Sequence, residues 1–306
     1  MDSLLSHPNR DAVASLRGYS YQIWVSLLSW IEMHETEVIY LEGAKDVDIL
    51  GPNDSAETVQ VKETAVSGAI TLRTESVLKA INNHWENQKR NPQWTDRMRY
   101  MTTSERGREQ RNPFGGARGL DVWDLGKGDG ELSPLRKHLT AQKKHFSKDL
   151  IEFIQSAKDD EIRSRLLDSI DWDTGNPIQS GVEETVLAKL IAHGKTSGYQ
   201  YSEYQTVVDQ LLRHVWDTVL RKTDTKLTKV GFLREFELAM TERIDKAELR
   251  KLRSGANPWT PSQVPTAMPD FTGRGAELKR VDNLFKGSQG RAAELVSATG
   301  TCSVRA

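Results

Sequence analysis

Several features are scarce in this chain of 306 residues, and each absence excludes a class of protein. Cys302 is the single cysteine, which excludes an internal disulfide framework and a cysteine-rich zinc site. No apolar run approaches the roughly 20 residues that span a bilayer. The polar segment 1–10 has no apolar centre of the kind that a signal peptide needs. We therefore expect a cytoplasmic protein with no membrane partner.

An excess of one charge is also lacking. The 42 lysines and arginines are balanced by 43 aspartates and glutamates, so no global electric field steers the protein to nucleic acid. Any affinity for phosphate groups has to come from a local patch. The seven histidines show no metal-ligand spacing, and the chain has no Gly-x-Ser-x-Gly motif, so a hydrolase triad is not indicated.

The most informative stretch runs from residue 17 to residue 62 and predicts a helix followed by two strands. The helix is predicted by apolar residues at three- and four-residue steps, namely Tyr21, Trp24, Val25, Leu28 and Ile31. Residues 46–49 and 59–62 alternate between polar and apolar, which is typical of strands with one face in the core. Turn-forming residues at 51–55 let the second strand fold back beside the first.

These strands place polar side chains on one face. We expect Gln60 and Lys62 to lie beside an aspartate, which is either Asp46 or Asp48. Carboxylate and amide oxygens suit Mg²⁺, which keeps several waters near a phosphate, and a neighbouring lysine can stabilise the charge of a phosphoryl transition state. Because Gln60 is neutral, tight metal binding would need phosphate oxygens as well. The alternative is a solvated strand face, since such short patterns also arise by chance.

Three motifs in this stretch resemble the PD-(D/E)XK nuclease domain of CBASS-associated double-stranded-DNA endonuclease effectors. The same domain type stands at the N-terminus of some antiviral STAND NTPases. The motifs are Arg-Gly-Tyr-x-Tyr-Gln at 17–22, Leu-Glu-x-x-x-Asp-Val-Asp-Ile at 41–49 and Val-Gln-Val-Lys at 59–62. The resemblance implies an α/β (α+β) fold, with a restriction-endonuclease-like core of a small mixed sheet flanked by helices, then a mainly helical C-terminal half.

The resemblance also implies functional residues. Catalysis would fall to Asp46, Gln60 and Lys62. Asp46, Asp48 and Gln60 would hold Mg²⁺, with Mn²⁺ as an alternative. The implied activity is that of a Mg²⁺-dependent endonuclease of antiphage defence, with double-stranded DNA as partner and a homo-oligomer as active form. A second hypothesis is a catalytically inactive nuclease-like module that binds DNA or protein, motivated by the neutral Gln60.

Two basic segments are predicted to contact the phosphates of DNA, because such contacts supply affinity without reading sequence. The glycine-rich loop 104–119 carries Arg106, Arg108 and Arg111. The cluster at 135–145, interpreted as part of one helix, carries Lys143 and Lys144. In both segments the alternative is a solvated surface with no specific partner.

The predicted domain organisation has four segments. They are a nuclease-like domain at 1–225, a helical connector at 226–257, a proline-rich linker at 258–270 and the start of a STAND-type nucleotide-binding domain at 271–306. Phe-Thr-Gly-Arg at 271–274 resembles the entry to such a domain. No lysine follows Lys286, so the P-loop is missing and we expect no functional NTP site. We interpret the chain as a truncated form of a longer sensor.

Overall fold

A computed structural model describes residues 12–43, 45–64, 68–198, 204–221 and 223–240, together with the backbone of 295–298 and 301–304. The chain divides into two compact units, residues 1–245 and residues 246–306. The predicted proline-rich linker at 258–270 lies outside the described residues, as does most of the predicted nucleotide-binding segment.

The first unit combines helices with short strands. In chain order its elements are α1 (Ala12–Glu32), β1 (Val38–Leu41), β2 (Val47–Leu50), β3 (Ser55–Lys62), α2 (Glu75–Arg90), β4 (Thr95–Thr102), α3 (Gly119–Lys127), α4 (Ser133–Ala141), α5 (Lys148–Ser156), α6 (Asp159–Ile162), a π-helical turn (Arg163–Leu167), β5 (Ile170–Asp173), α7 (Gln179–Thr196), α8 (Tyr204–Val219), β6 (Lys226–Thr228) and α9 (residues 229–240).

The six strands of this unit form one mixed sheet in the order β5-β4-β3-β2-β1-β6. Strands β6, β1, β2 and β3 run antiparallel to their neighbours, whereas β3, β4 and β5 are parallel. The β2–β3 hairpin pairs Val47 with Val59, which confirms the predicted fold-back. The structure therefore confirms a mixed sheet with flanking helices, but it does not confirm a restriction-endonuclease core.

Apolar side chains cover both faces of the sheet. On one face, Val59 and Val61 are buried against α1, α7 and α8. On the other face, Met98 and Tyr100 are buried among residues of α2 to α5. Full burial of a large apolar side chain contributes about 1.5–3 kcal/mol, so the sheet is held from both sides. Its polar residues are left at the strand ends and in gaps between helices.

Residues 226–240 belong to the core of the first unit. Leu227 of β6 pairs with Ile39 of β1, and Phe232 and Phe236 of α9 are buried. The indole of Trp30 donates a hydrogen bond to the carbonyl of Thr228 over 2.9 Å. The sequence places this segment in a connector because a three-residue strand is too short to show alternation.

In the second unit the described residues form two strands, β7 (Leu295–Ala298) and β8 (Thr301–Val304). They pair antiparallel, with Leu295 opposite Val304. Across the described parts of the chain, no helix has the length and apolar character needed to cross a bilayer.

Candidate functional site

The predicted catalytic residues of β3 lie where the parallel strands β3 and β4 end. Gln60 and Lys62 alternate along β3 and therefore share a face of the sheet. Gln60 is paired with Tyr100 of β4, and Lys62 is paired with Thr102. Both β3 side chains are partly exposed. The polar end of β3 is thus open at this edge, while the same face of β4 is buried.

Asp46 stands directly before β2 and is fixed against β3. Its Oδ2 accepts a hydrogen bond from the amide of Val61 over 2.7 Å, and the side chain of Gln22 on α1 forms another hydrogen bond with it. Burial raises the pKa of the Asp46 carboxyl. The Val61 amide and the positive charges of Lys62 and Lys45 oppose this rise. The structure therefore brings Asp46 and Lys62 together, as predicted.

Asp48 is more deeply buried than Asp46. It is 9% exposed and lines a cavity together with Thr58. Its Oδ1 accepts a hydrogen bond from the backbone amide of Lys45 over 3.1 Å. Gly43 packs so closely on Asp48 that a Cβ there would collide with Oδ2. Of the two aspartates that the sequence left open, Asp46 has a carboxyl on which the charge of Lys62 acts.

Lys45 is a member of the site to which the sequence assigned no role. Its Nζ donates to Oε1 of Gln60 over 3.5 Å. Burial lowers the pKa of the Lys45 ammonium, and the charges of Asp46 and Asp48 oppose this effect. The signal was present in the sequence, since Lys45 directly precedes the predicted aspartate.

A cleft of about 750 Å³ extends from Lys45 along α2. Its basic residues are Lys45, Arg90, Lys144 and His145, and its one acidic residue is Glu86. Neutral hydrogen-bonding side chains complete it, namely Asn82, Asn83, Asn87 and Ser147. We call this the basic cleft. A concentration of positive charge beside amide donors can bind anions in a chain whose net charge is only −1.

The oxygen ligands at the site fit a divalent cation only in part. The described residues contain no cluster of three or more His, Cys, Asp or Glu side chains able to hold a metal ion. Asp46 and Gln60 offer a carboxylate and an amide oxygen, and Gln60 already accepts from Lys45. Mg²⁺ is commonly held by one or two carboxylates together with substrate phosphates and waters. The residues therefore suit a cation that binds together with a phosphate group.

Among the loop arginines, Arg106 makes its contacts within the fold. The guanidinium of Arg106 contacts Asp121 over 3.0 Å and Asp124 over 2.6 Å. It also donates to the carbonyl of Trp172 over 2.8 Å. Arg106 thus links its loop to α3 and β5, and its guanidinium group is used in contacts inside the protein. The sequence could not show this because both aspartates follow at least 15 residues later.

The other predicted phosphate contacts are exposed. Arg108 and Arg111 are surface residues of the loop, and Arg111 has a positive φ of 63°. Helix α4 ends at Ala141, and Lys143 and Lys144 lie in the turn that follows it. The prediction that they belong to one helix is therefore wrong. Lys144 lines the basic cleft, whereas Lys143 is not among its lining residues.

Comparisons with known proteins give weak structural likenesses. No family model and no curated protein matches the chain. The Cap4 SAVED/CARF-domain containing receptor of Acinetobacter baumannii, solved with the cyclic trinucleotide 3′3′3′-cAAA, matches at 12% identity with a TM-score of 0.41. That match covers 74% of this chain and 49% of the receptor. The Cap4 receptor of Moraxella osloensis matches at 16% identity with a TM-score of 0.40, over 73% and 48% of the two chains.

These findings correct the identification made from the three motifs. The matched structures are described as SAVED/CARF-domain receptors, and their descriptions name no nuclease. The assignment to the PD-(D/E)XK nucleases is therefore withdrawn. The predicted DNA endonuclease, its inactive DNA-binding alternative, the double-stranded DNA partner and the active homo-oligomer are withdrawn with it. The chain spans about half the length of these receptors.

Proposed function

We propose that the first unit binds the phosphodiester group of a small nucleotide ligand in the basic cleft, with a Mg²⁺ or Mn²⁺ ion beside it on Asp46 and Gln60. The position of Lys45 carries this proposal. Lys45 lines the basic cleft and also reaches Oε1 of Gln60 over 3.5 Å. A phosphate bound by this ammonium group would therefore lie beside the two oxygens that suit the cation.

The charge and size of the cleft favour a nucleotide over a simple anion. One arginine and two lysines line the cleft against one glutamate, so an anionic ligand is attracted. The volume of about 750 Å³ lies within the range typical of sites for small organic ligands. The asparagine amides can donate to and accept from polar groups of a sugar or base.

In this proposal the basic residues of the cleft bind the phosphate, and Asp46 binds the cation. Lys45, Arg90 and Lys144 would neutralise phosphate oxygens by charge-assisted hydrogen bonds. Asp46 would supply the carboxylate ligand of the cation, and the Val61 amide holds that carboxylate in place. A bound Mg²⁺ would polarise a phosphoryl oxygen. Because the protein offers only two of the ligands, the cation and the phosphate should bind cooperatively.

A second candidate function is hydrolysis of the bound phosphodiester. Lys62 favours it, because its charge acts on Asp46 and it shares a strand face with Gln60. In this reaction a water oxygen attacks phosphorus, one P–O ester bond breaks and the leaving oxygen takes a proton. Lys62 would offset the negative charge of the transition state. Incubation of a linear trinucleotide with Mg²⁺ should yield shorter products that are absent with EDTA and with Lys62→Met. Intact trinucleotide in every sample would exclude this candidate.

Calorimetric titration of the full chain tests the binding function directly. The probes are a linear trinucleotide and the cyclic trinucleotide 3′3′3′-cAAA, each titrated with Mg²⁺ and with EDTA. Loss of one charge-assisted contact in Lys144→Met should weaken binding about tenfold. Lys143→Met is the matched control, because it removes the same charge one residue away and outside the cleft. Equal affinities for the two variants, or no binding by the unmodified chain, would contradict the proposal.

A further inference from the structure

A second cavity, of about 290 Å³, adjoins the basic cleft. Gly43 and Asn87 line both spaces. The walls of the second cavity include two aromatic side chains, Tyr40 and Trp94. Its volume is at the lower limit for ligand pockets, which suits one planar ring system. We call it the aromatic cavity.

The sheet register explains why this space exists. Strand β3 carries the small side chains of Ala56 and Thr58 there. Asp48 of β2 is paired with Thr58, and Asp96 of β4 is paired with Ala56. Because Ala56 and Thr58 point to the same face, the two aspartates stand on opposite sides of a shallow floor. Larger residues on β3 would fill the gap between them.

Asp96 has an unsatisfied acceptor beside this cavity. Its side chain is 1% exposed. Oδ2 accepts a hydrogen bond from the Asn87 amide over 2.7 Å and lies 3.5 Å from Nδ1 of His84. Oδ1 has no hydrogen-bond partner among the described residues. Nearly all buried polar atoms of native proteins have partners, so a ligand donor at this oxygen would complete the arrangement.

We infer that the aromatic cavity binds a guanine base. The inference rests on the proposed function, in which the sugar-phosphate of the same nucleotide occupies the adjoining basic cleft. The unpartnered Oδ1 of Asp96 is a hydrogen-bond acceptor, so the ligand has to present a donor to it. Guanine presents two adjacent donors, N1–H and the N2 amino group, so that one would donate to the unpartnered Oδ1 and the other would share Oδ2 with the Asn87 amide. Stacking on an aromatic ring such as Trp94 would add affinity.

The other standard bases fit this chemistry less well. Adenine and cytosine each present one amino group beside a ring nitrogen acceptor, and that acceptor would face a carboxylate oxygen. Uracil presents one N–H between two carbonyl oxygens. A site built around buried hydrogen-bonding groups rejects analogues that leave those groups unpaired. The aromatic cavity should therefore distinguish guanine from all three.

Calorimetry of the full chain with GMP, AMP, CMP and UMP tests the inference. GMP should bind at least about tenfold more tightly than each of the others, as expected for a matched pair of hydrogen bonds to a charged group. The protein should also bind guanosine more tightly than adenosine, although neither nucleoside carries a phosphate group. Asp96→Asn should abolish the preference for guanine. Equal affinity of the unmodified chain for the four nucleotides would overturn the inference.

Asp96 also accepts a hydrogen bond from Asn87, so Asp96→Asn could destabilise the fold. A second variant therefore tests the cavity without changing Asp96. Trp94→Leu removes a wall of the aromatic cavity and should weaken guanosine binding about tenfold through lost stacking. Trp216→Leu is its control, because Trp216 is 41% exposed and lies on α8. The thermal transition of each variant shows whether it is folded. Unchanged guanosine affinity in folded Trp94→Leu would overturn the inference.

The two proposals fail in distinguishable ways. If Lys144→Met weakens all four nucleotides and the base makes no difference, the basic cleft stands and the guanine site is wrong. If guanosine is preferred over adenosine and Lys144→Met changes nothing, the guanine site stands and the phosphate site is wrong. If no nucleoside or nucleotide binds, both are wrong.

Discussion

The amide of Val61 donates a hydrogen bond of 2.7 Å to Oδ2 of Asp46, and this contact fixes the carboxylate before β2 against the polar end of β3. A carboxylate anchored by a backbone amide keeps its position when neighbouring side chains move. Its charge is then held next to Lys62 and Lys45. The backbone of the β2–β3 hairpin therefore positions the Asp46 carboxylate. The long side chains of Lys45 and Lys62 supply the positive charges beside it.

Replacement of Lys45 should affect ligand binding more than stability. Lys45→Met keeps most of the side-chain volume and removes the ammonium group that contacts Gln60. We expect nucleotide affinity to fall about tenfold, the cost of one hydrogen bond to a charged group. Lys79→Met is the control, because Lys79 is 64% exposed and pairs with Glu75 within α2. A titration in which both variants bind like the unmodified chain would exclude Lys45 from the site.

A side chain at Gly43 should displace the carboxylate of Asp48. A Cβ at this position would collide with Oδ2 of Asp48, and overpacking of this kind costs about 1–3 kcal/mol. We expect Gly43→Ala to lower the free energy of unfolding by this amount in urea denaturation. Gly18→Ala serves as control, since nothing lies within 4 Å of a Cβ there. Because Gly18 is inside α1, alanine should stabilise the helix by up to about 1 kcal/mol. Equal stability of the two variants would contradict this packing.

Glu109 should make stability depend on pH. Burial raises the pKa of the Glu109 carboxyl above its ordinary 4.5, although the Leu72 amide opposes the shift. A raised pKa in the folded state means that the stabilisation is complete below pH 4.5 and is lost as the pH rises through the folded pKa. Glu109→Gln keeps an acceptor for the Leu72 amide, which donates over 2.7 Å, and should flatten the dependence.

Thermal unfolding between pH 4 and pH 8 would measure this effect. Glu131→Gln is the control, since Glu131 is exposed. His138 near Glu109 also titrates, with a pKa lowered by burial, so its neutral form is favoured and stability is lost as the pH falls through its folded pKa. That contribution is common to the unmodified chain and Glu131→Gln, whereas Glu109→Gln also removes the carboxylate that lies 3.9 Å from Nε2 of His138. Identical pH profiles of Glu109→Gln and the unmodified chain would show that Glu109 is not the cause.

Arg106 should prove to be a structural residue. Arg106→Met removes its ion pairs with Asp121 and Asp124 and the hydrogen bond to the Trp172 carbonyl. The carbonyl would be left without this donor, and we expect a loss of roughly 2 kcal/mol in the free energy of unfolding. Arg108→Met, on the exposed part of the same loop, should change it by less than about 0.5 kcal/mol. If Arg106→Met instead weakens nucleotide binding at unchanged stability, its assignment here is wrong.

The local parts of the fold were predictable from the sequence. The hairpin of β2 and β3 follows from alternation and from the turn residues between them. Helix α2 begins after Thr74 and ends before Asn91, where the sequence has an N-cap residue and an Asn-Pro pair. The alternation of residues 97–101 likewise indicates strand β4. These signals lie within a few residues of each other, so no knowledge of tertiary contacts is required.

The assembly of the site was only partly predictable. Asp46 and Asp48 have the same side-chain parity, so alternation cannot separate them. Their different positions depend on tertiary contacts. Asp46 accepts a hydrogen bond from the Val61 amide, and Asp48 packs closely against Gly43. Arg90 and Lys144 meet in the basic cleft although more than 50 residues separate them in the sequence. Side-chain placement of this kind is decided by tertiary packing, which a linear pattern does not encode.

Cooperative binding of cation and nucleotide is the central claim, and a calorimetric Mg²⁺ titration of the full chain tests it most directly. The titration is made with and without saturating trinucleotide, for the unmodified protein and for Asp46→Asn. We predict that the trinucleotide tightens Mg²⁺ binding at least about tenfold, since coupling between linked sites is typically 1–3 kcal/mol. Asp46→Asn should remove this gain while its thermal transition stays unchanged. Equal Mg²⁺ affinity with and without trinucleotide, or the same gain in Asp46→Asn, would contradict the account.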